Sequence, residues 1–146
     1  MSPFDADNFM NTQSTESNAT KVIPVPPGEY NAQIKDLKVR DAKDSKVLDV
    51  IWELDSEPAR QATGRKEVQV RQSLFLDFND NGGLSFAEGK NVGLGRLRQA
   101  LNQNNKGQPW SPINLKGGVA KINVTHRVDK DTGDIYDQVS KVAPLS

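Results

Sequence analysis

The chain has 146 residues, and its 19 lysines and arginines balance 19 aspartates and glutamates, so the formal net charge is zero. That balance argues against a polyanion binder working through overall basicity and confines any basic surface to a local patch. A composition of 35% hydrophobic and 26% charged residues fits one soluble globular domain, and the lack of cysteine excludes disulfides and thiolate metal sites.

Residues 1–27 read as an extended N-terminal arm and residues 28–146 as a folded β domain. The opening MSPFDADNFM has neither a basic n-region nor an apolar h-region, so no secretory signal is expected. Between Asn11 and Thr20 the only apolar side chain is Ala19, too little apolar surface to offset the entropy of ordering. Phe4, Phe9 and Met10 are therefore the candidate anchors of the arm. Its charges, Asp5, Asp7 and Glu16 against Lys21, make it acidic and unlike a basic nucleic-acid arm. Lys21 to Pro27 (KVIPVPP) holds three prolines, which fix φ and remove donors, so this stretch reads as a stiff lead-in.

Tyr30, Ala32 and Ile34 alternate in the first strand, and the phase then slips so that Leu37 and Val39 continue it. A slip of phase within one strand predicts a β-bulge near Asp36. After the polar turn Asp41–Ser45, Leu48, Val50, Trp52 and Leu54 give a second strand of period two, with Trp52 in the core. Val47 and Ile51 predict some burial of its other face. Residues 55–64 read as a loop. A third strand spans residues 66–78, with Val68, Val70, Leu74, Leu76 and Phe78 inward, Gln72 as one polar interruption, and Arg71, Ser73 and Phe75 opposite.

A turn rich in Asp, Asn and Gly then leads to a helix over residues 91–103, with Asn91 as N-cap and Leu94, Leu97 and Leu101 on one buried stripe. Gly93 and Gly95 weaken its first turns, which suggests close packing at those positions. Gly117-Gly118 opens a fourth strand with Ala120, Ile122, Val124, His126 and Val128 on one face; residues 129–134 turn, and residues 135–142 return as a fifth. The expected fold is mainly β: a small barrel of five to six strands, OB-like, or a sandwich, with one helix between strands three and four.

Three motifs bear on chemistry. Asp77 to Glu88 (DFNDNGGLSFAE) fits the twelve-residue calcium loop, with oxygen ligands at Asp77, Asn79, Asn81 and Glu88 and Gly82 at the turn. Its entering flank alternates as a strand rather than a helix, so it reads as a connection and no metal site is assigned. Gly93-Leu-Gly95 lies among Lys90, Arg96 and Arg98, a cluster that could meet an anion, DNA or an acidic neighbouring subunit. His126 is the single histidine, with no nucleophile motif beside it, so neither enzymatic activity nor a cofactor is expected.

In PGEYNAQIKDLKVR (27–40), LDVIWELD (48–55) and GKNVGLGRLRQALNQN (89–104) the chain resembles a group of small tailed-bacteriophage proteins. The resemblance implies a phage origin, with a place either in the virion as head decoration or in a replication module. The neutral charge and the long polar arm with its aromatic anchors favour the first: a capsid cement or decoration protein on the phage head, made in the host cytoplasm. Its partners would be the major capsid protein and copies of itself, reached through Phe4, Phe9 and Met10, with no membrane involved. The alternative is a single-stranded-DNA-binding protein of the replication module, using Arg65, Lys66, Arg71, Lys90, Arg96 and Arg98.

Overall fold

The computed structural model describes residues 4–145. In chain order the elements are α1 (Ala6–Met10), β1 (Gly28–Ala42), β2 (Ser45–Leu54), α2 (Glu57–Thr63), β3 (Gln69–Leu76), α3 (Val92–Ala100), a 3₁₀ turn (Pro112–Leu115), β4 (Val119–Val128) and β5 (Ile135–Ala143). The strands form one antiparallel sheet in the order β3-β2-β1-β4-β5. Among the described residues no ladder joins β3 to β5 and all five strands belong to one sheet, so the expected barrel or two-sheet sandwich is corrected to a single open sheet. The two edges nevertheless approach one another, and α3 packs on both.

β1 is the centre of this arrangement because it serves two partners in succession. Residues 28–33 pair with β4, residues 32–42 pair with β2, and the register shifts between Ile34 and Asp36. This is the expected bulge. The extra residue bends the strand and raises its twist, which lets one strand belong to both halves of a curled sheet.

The concave face carries the core. Ile34, Trp52, Leu54, Val50, Val68 and Ile122 are fully buried, and Leu94, Leu97 and Leu115 close over them from α3 and the 3₁₀ turn. Each such aliphatic side chain contributes roughly 1.5–3 kcal/mol of transfer free energy. Gln72, the polar interruption of β3, has a clear role: its Oε1 accepts the indole N–H of Trp52 at 2.9 Å. A buried indole without an acceptor would cost about 1–3 kcal/mol.

Three local expectations change. Residues 55–64 are not a plain loop but contain α2, capped by the Ser56 hydroxyl accepting from Ala59 N–H at 3.2 Å and ended by Gly64 at φ 71°. The cap residues were readable; a seven-residue helix burying only Ala59 and Thr63 leaves no apolar stripe to detect. Helix α3 stops at Ala100, short of Gln103, because Asn102 takes a left-handed φ of 57° and a Schellman-type closure forms: Asn102 N–H donates to Gln99 O at 3.1 Å and Gln103 N–H to Arg98 O at 2.7 Å. The arm is extended only in part, since Asp5 caps α1 by accepting from the Asp7 and Asn8 amides.

The glycines of α3 divide. A Cβ on Gly93 would sit 3.2 Å from Leu74 Cδ2, so close packing on β3 accounts for it, whereas a Cβ on Gly95 would meet nothing within 4 Å.

Candidate functional site

Where β3 and β5 face each other, the edges enclose an open groove of about 1280 Å³, with α3 along it. The alternation of β3 decides its chemistry. Val70 and Leu74 turn inward, so Arg71, Ser73 and Phe75 turn outward, as their spacing requires. Arg40, Arg71, Arg96, Arg127 and Lys141 line the groove against one carboxylate, Asp137, an excess of four positive charges in a chain of zero net charge. Two of its aromatic side chains are exposed, Phe75 at 67% and Tyr136 at 45%.

Two of these cations, Arg40 and Arg127, are held in position. Asp49 lies on the convex side of β2 at 5% exposure, opposite Ser73 of β3. Its Oδ1 accepts the Ser73 hydroxyl at 2.7 Å and its Oδ2 accepts Arg40 Nε at 2.7 Å. Burial alone would raise the Asp49 pKa. The hydrogen bonds from Ser73 and Arg40, with the charges of Arg40 and Arg71, outweigh that and hold the carboxyl below its ordinary range. The Nε bond to Asp49 holds the Arg40 side chain at the groove wall. Across the groove, the Arg127 guanidinium stands 5.4 Å over the Tyr136 ring, its cross-strand partner.

A smaller cleft of about 360 Å³ lies between residues 84–92 and α3, and it brings together the three cations singled out from the sequence: Lys90, Arg96 and Arg98. Arg96 and Gln99 border both spaces. Arg98 is less available than its sequence position suggests. Its guanidinium stacks 3.9 Å from the Trp110 ring, its Nε donates to Gln103 O at 3.0 Å, and burial lowers its pKa. Arg98 therefore fastens the end of α3 to the following loop.

The calcium-like stretch is tied to turn geometry. Asp77 Oδ2 accepts Asn91 N–H at 3.0 Å, Asn91 Oδ1 accepts Asp77 N–H at 2.8 Å, and Asn79 Oδ1 accepts the Asn81 and Gly83 amides. Asn91 occupies the N-cap position, but its side chain makes no cap bond; it joins the strand exit at Asp77 and Ser85 to the start of α3. His126 is structural too. Its Nε2 lies 2.5 Å from Val25 O, while Asp137 Oδ1 accepts Val25 N–H at 2.9 Å. With Tyr30 donating to Pro26 O at 2.5 Å, these residues fasten the root of the arm, and Val25 is fully buried. Burial, and then the Asp137 charge, raise the Tyr30 pKa.

The arm anchors are exposed: Phe4, Phe9 and Met10 at 77%, 61% and 78%, with the two rings 5.6 Å apart. Of the cations assigned from sequence to a nucleic-acid surface, Arg71 and Arg96 reach the groove and Arg96 and Lys90 the cleft, whereas Arg65 donates to Ile23 O at 2.8 Å. Arg40, Arg127, Tyr136 and Lys141 were not singled out from sequence. Alternation gives the face of each, but not that β3 and β5 share a seam.

No protein-family model matches the chain, and no curated protein matches it.

Proposed function

We propose that this protein binds single-stranded DNA along the β3–β5 groove, as a binding protein rather than an enzyme. One observation carries the reading: a chain of zero net charge gathers five cations and two exposed aromatics against one carboxylate along a single open groove. Such a groove suits a strand whose phosphates meet Arg71, Arg96, Arg127 and Lys141 while bases stack on Phe75 and Tyr136. The strand order supports it. A bulged β1 shared by β2 and β4, with a helix between β3 and β4, is the order of an OB-type five-stranded barrel, here open at the β3–β5 seam. The resemblance to small tailed-phage proteins is consistent with a place in a replication module.

The test is fluorescence anisotropy with labelled oligo-dT between 50 and 200 mM salt. Four phosphate contacts give a slope of log K against log salt of about −3. Arg71→Ala with Arg127→Ala should flatten it by about 1.4 and weaken binding at least tenfold. No binding to the unaltered protein at 20 mM salt would remove the proposal.

A second reading is favoured by one observation, the exposed apolar side chains Phe4, Phe9 and Met10 near the start of the arm. As a head decoration protein the chain would seat Phe4, Phe9 and Met10 on the major capsid protein or on copies of itself. Its test is occupancy of purified particles after Phe4→Ala with Phe9→Ala; unchanged occupancy counts against it.

A further inference from the structure

The groove and the arm are complementary. Residues 4–20 carry Asp5, Asp7 and Glu16 and no lysine or arginine, a charge of −3 opposite the groove's excess of +4. The arm also presents Phe9 on a capped short helix, paired with Phe4 just before the cap and both exposed, while the groove presents exposed Phe75 and Tyr136. The arm starts at the groove: Val25, its buried root, is bonded to Asp137, which lines the β5 wall. Residues 21–24 are held to the domain, Lys21 by Asp134 and Ile23 O by Arg65, so the free tether to α1 is residues 11–20, enough chain to span roughly 33–36 Å when extended and about 16–19 Å on average. A segment held so close has an effective concentration of order millimolar, so even a weak contact would populate the groove.

We infer that residues 4–16 of the arm, exposed in this structure, take a second position in the basic groove of their own chain and compete there with nucleic acid, Asp5, Asp7 and Glu16 pairing with Arg71, Arg96, Arg127 and Lys141, and Phe4 and Phe9 packing near Phe75 and Tyr136. This rests on the groove being the nucleic-acid site, but the contact itself can be measured without nucleic acid. Screening by salt weakens it, and a strand carrying one phosphate per nucleotide displaces it.

The cysteine-free chain allows one nitroxide to be placed by Asn8→Cys in the full-length protein. At 20 mM salt, relaxation enhancement should broaden backbone amides of residues 71–75 and 136–141. The broadening should disappear at 0.5 M salt and in Asp5→Asn/Asp7→Asn/Glu16→Gln, a variant that keeps an N-cap at position 5. That same variant should bind oligo-dT about three- to tenfold tighter than the unaltered chain at 20 mM salt, the factor by which an occupied groove reduces apparent affinity. Groove amides unaffected at low salt would overturn the inference. So would broadening that appears only between a labelled and an unlabelled copy, which would place the arm on a neighbour. So would oligo-dT binding that is unchanged by neutralising the arm. If the broadening is present but oligo-dT never binds, the arm contact stands and the nucleic-acid reading falls.

Discussion

The two faces of β2 and β3 solve the same problem for different ends. On the concave face the one polar group in the apolar run, Gln72, accepts the indole N–H of Trp52 and lets a large ring be buried without loss. On the convex face the buried group is a carboxylate, Asp49, satisfied by Ser73 and Arg40. The first arrangement spends its hydrogen bond on packing. The second spends it on holding a guanidinium beside the groove and lowering local repulsion among Arg40 and Arg71. A buried polar group thus supports stability on one face and placement of charge on the other, and the difference can be measured.

The largest expected effect is on the concave face. Trp52→Ala should cost about 3–5 kcal/mol in urea unfolding, since it removes a fully buried ring and leaves Gln72 facing a cavity. A loss below 1 kcal/mol would mean that Trp52 does not organise the core.

Asp49→Asn should cost less, about 1–2 kcal/mol, because Arg40 is about half exposed and water replaces part of the lost bond. It should also weaken oligo-dT binding measured at fixed salt, by releasing Arg40 from its position. The pH dependence carries a sign. The folded-state pKa of Asp49 lies below the unfolded value of about 3.9, so its contribution is complete above that value. It fades as pH falls from about 3.9 through the lower folded-state pKa. The stability difference between the unaltered protein and Asp49→Asn should therefore narrow below about pH 4; a difference independent of pH down to 2 would rule out the ionised pair.

The smallest effect separates the two glycines of α3. Gly95→Ala should raise stability by up to about 1 kcal/mol, since the new methyl meets open space and Ala is the better helix former. Gly93→Ala should give less or reverse the sign, because Leu74 Cδ2 stands 3.2 Å from the added atom. Equal gains at both positions would show that α3 does not press on β3.

Much of the fold was legible because it is local. Leu48, Val50, Trp52 and Leu54 declare a strand by period two, and the slip between Ile34 and Leu37 declares the bulge that the pairing register confirms. Helix α2 was hidden because tertiary burial of Ala59 and Thr63, not an apolar stripe, sustains it. The site was only half legible. Arg71, Phe75 and Arg96 could be placed on outward faces, while Arg98 proved to be committed to Trp110 and Gln103, partners that sequence spacing on a helix does not announce.

The sequence by itself determined the five strands, the bend in β1 and most of the inward-facing side chains, and that any basic surface must be local. These follow from backbone geometry and side-chain period, which act over a few residues. Val39, Phe78 and Val128, expected inward, are exposed, and β3 spans Gln69–Leu76 rather than residues 66–78. Only the tertiary structure decided that the sheet stays open, and that Arg71 and Phe75 on β3 meet Arg127, Tyr136 and Lys141 from strands about 60 residues later. Period two assigns a residue to a face but says nothing about which distant edge it will face. That choice rests on β1 pairing with both β2 and β4, a long-range arrangement that brings two edges of one alternating pattern together around a groove.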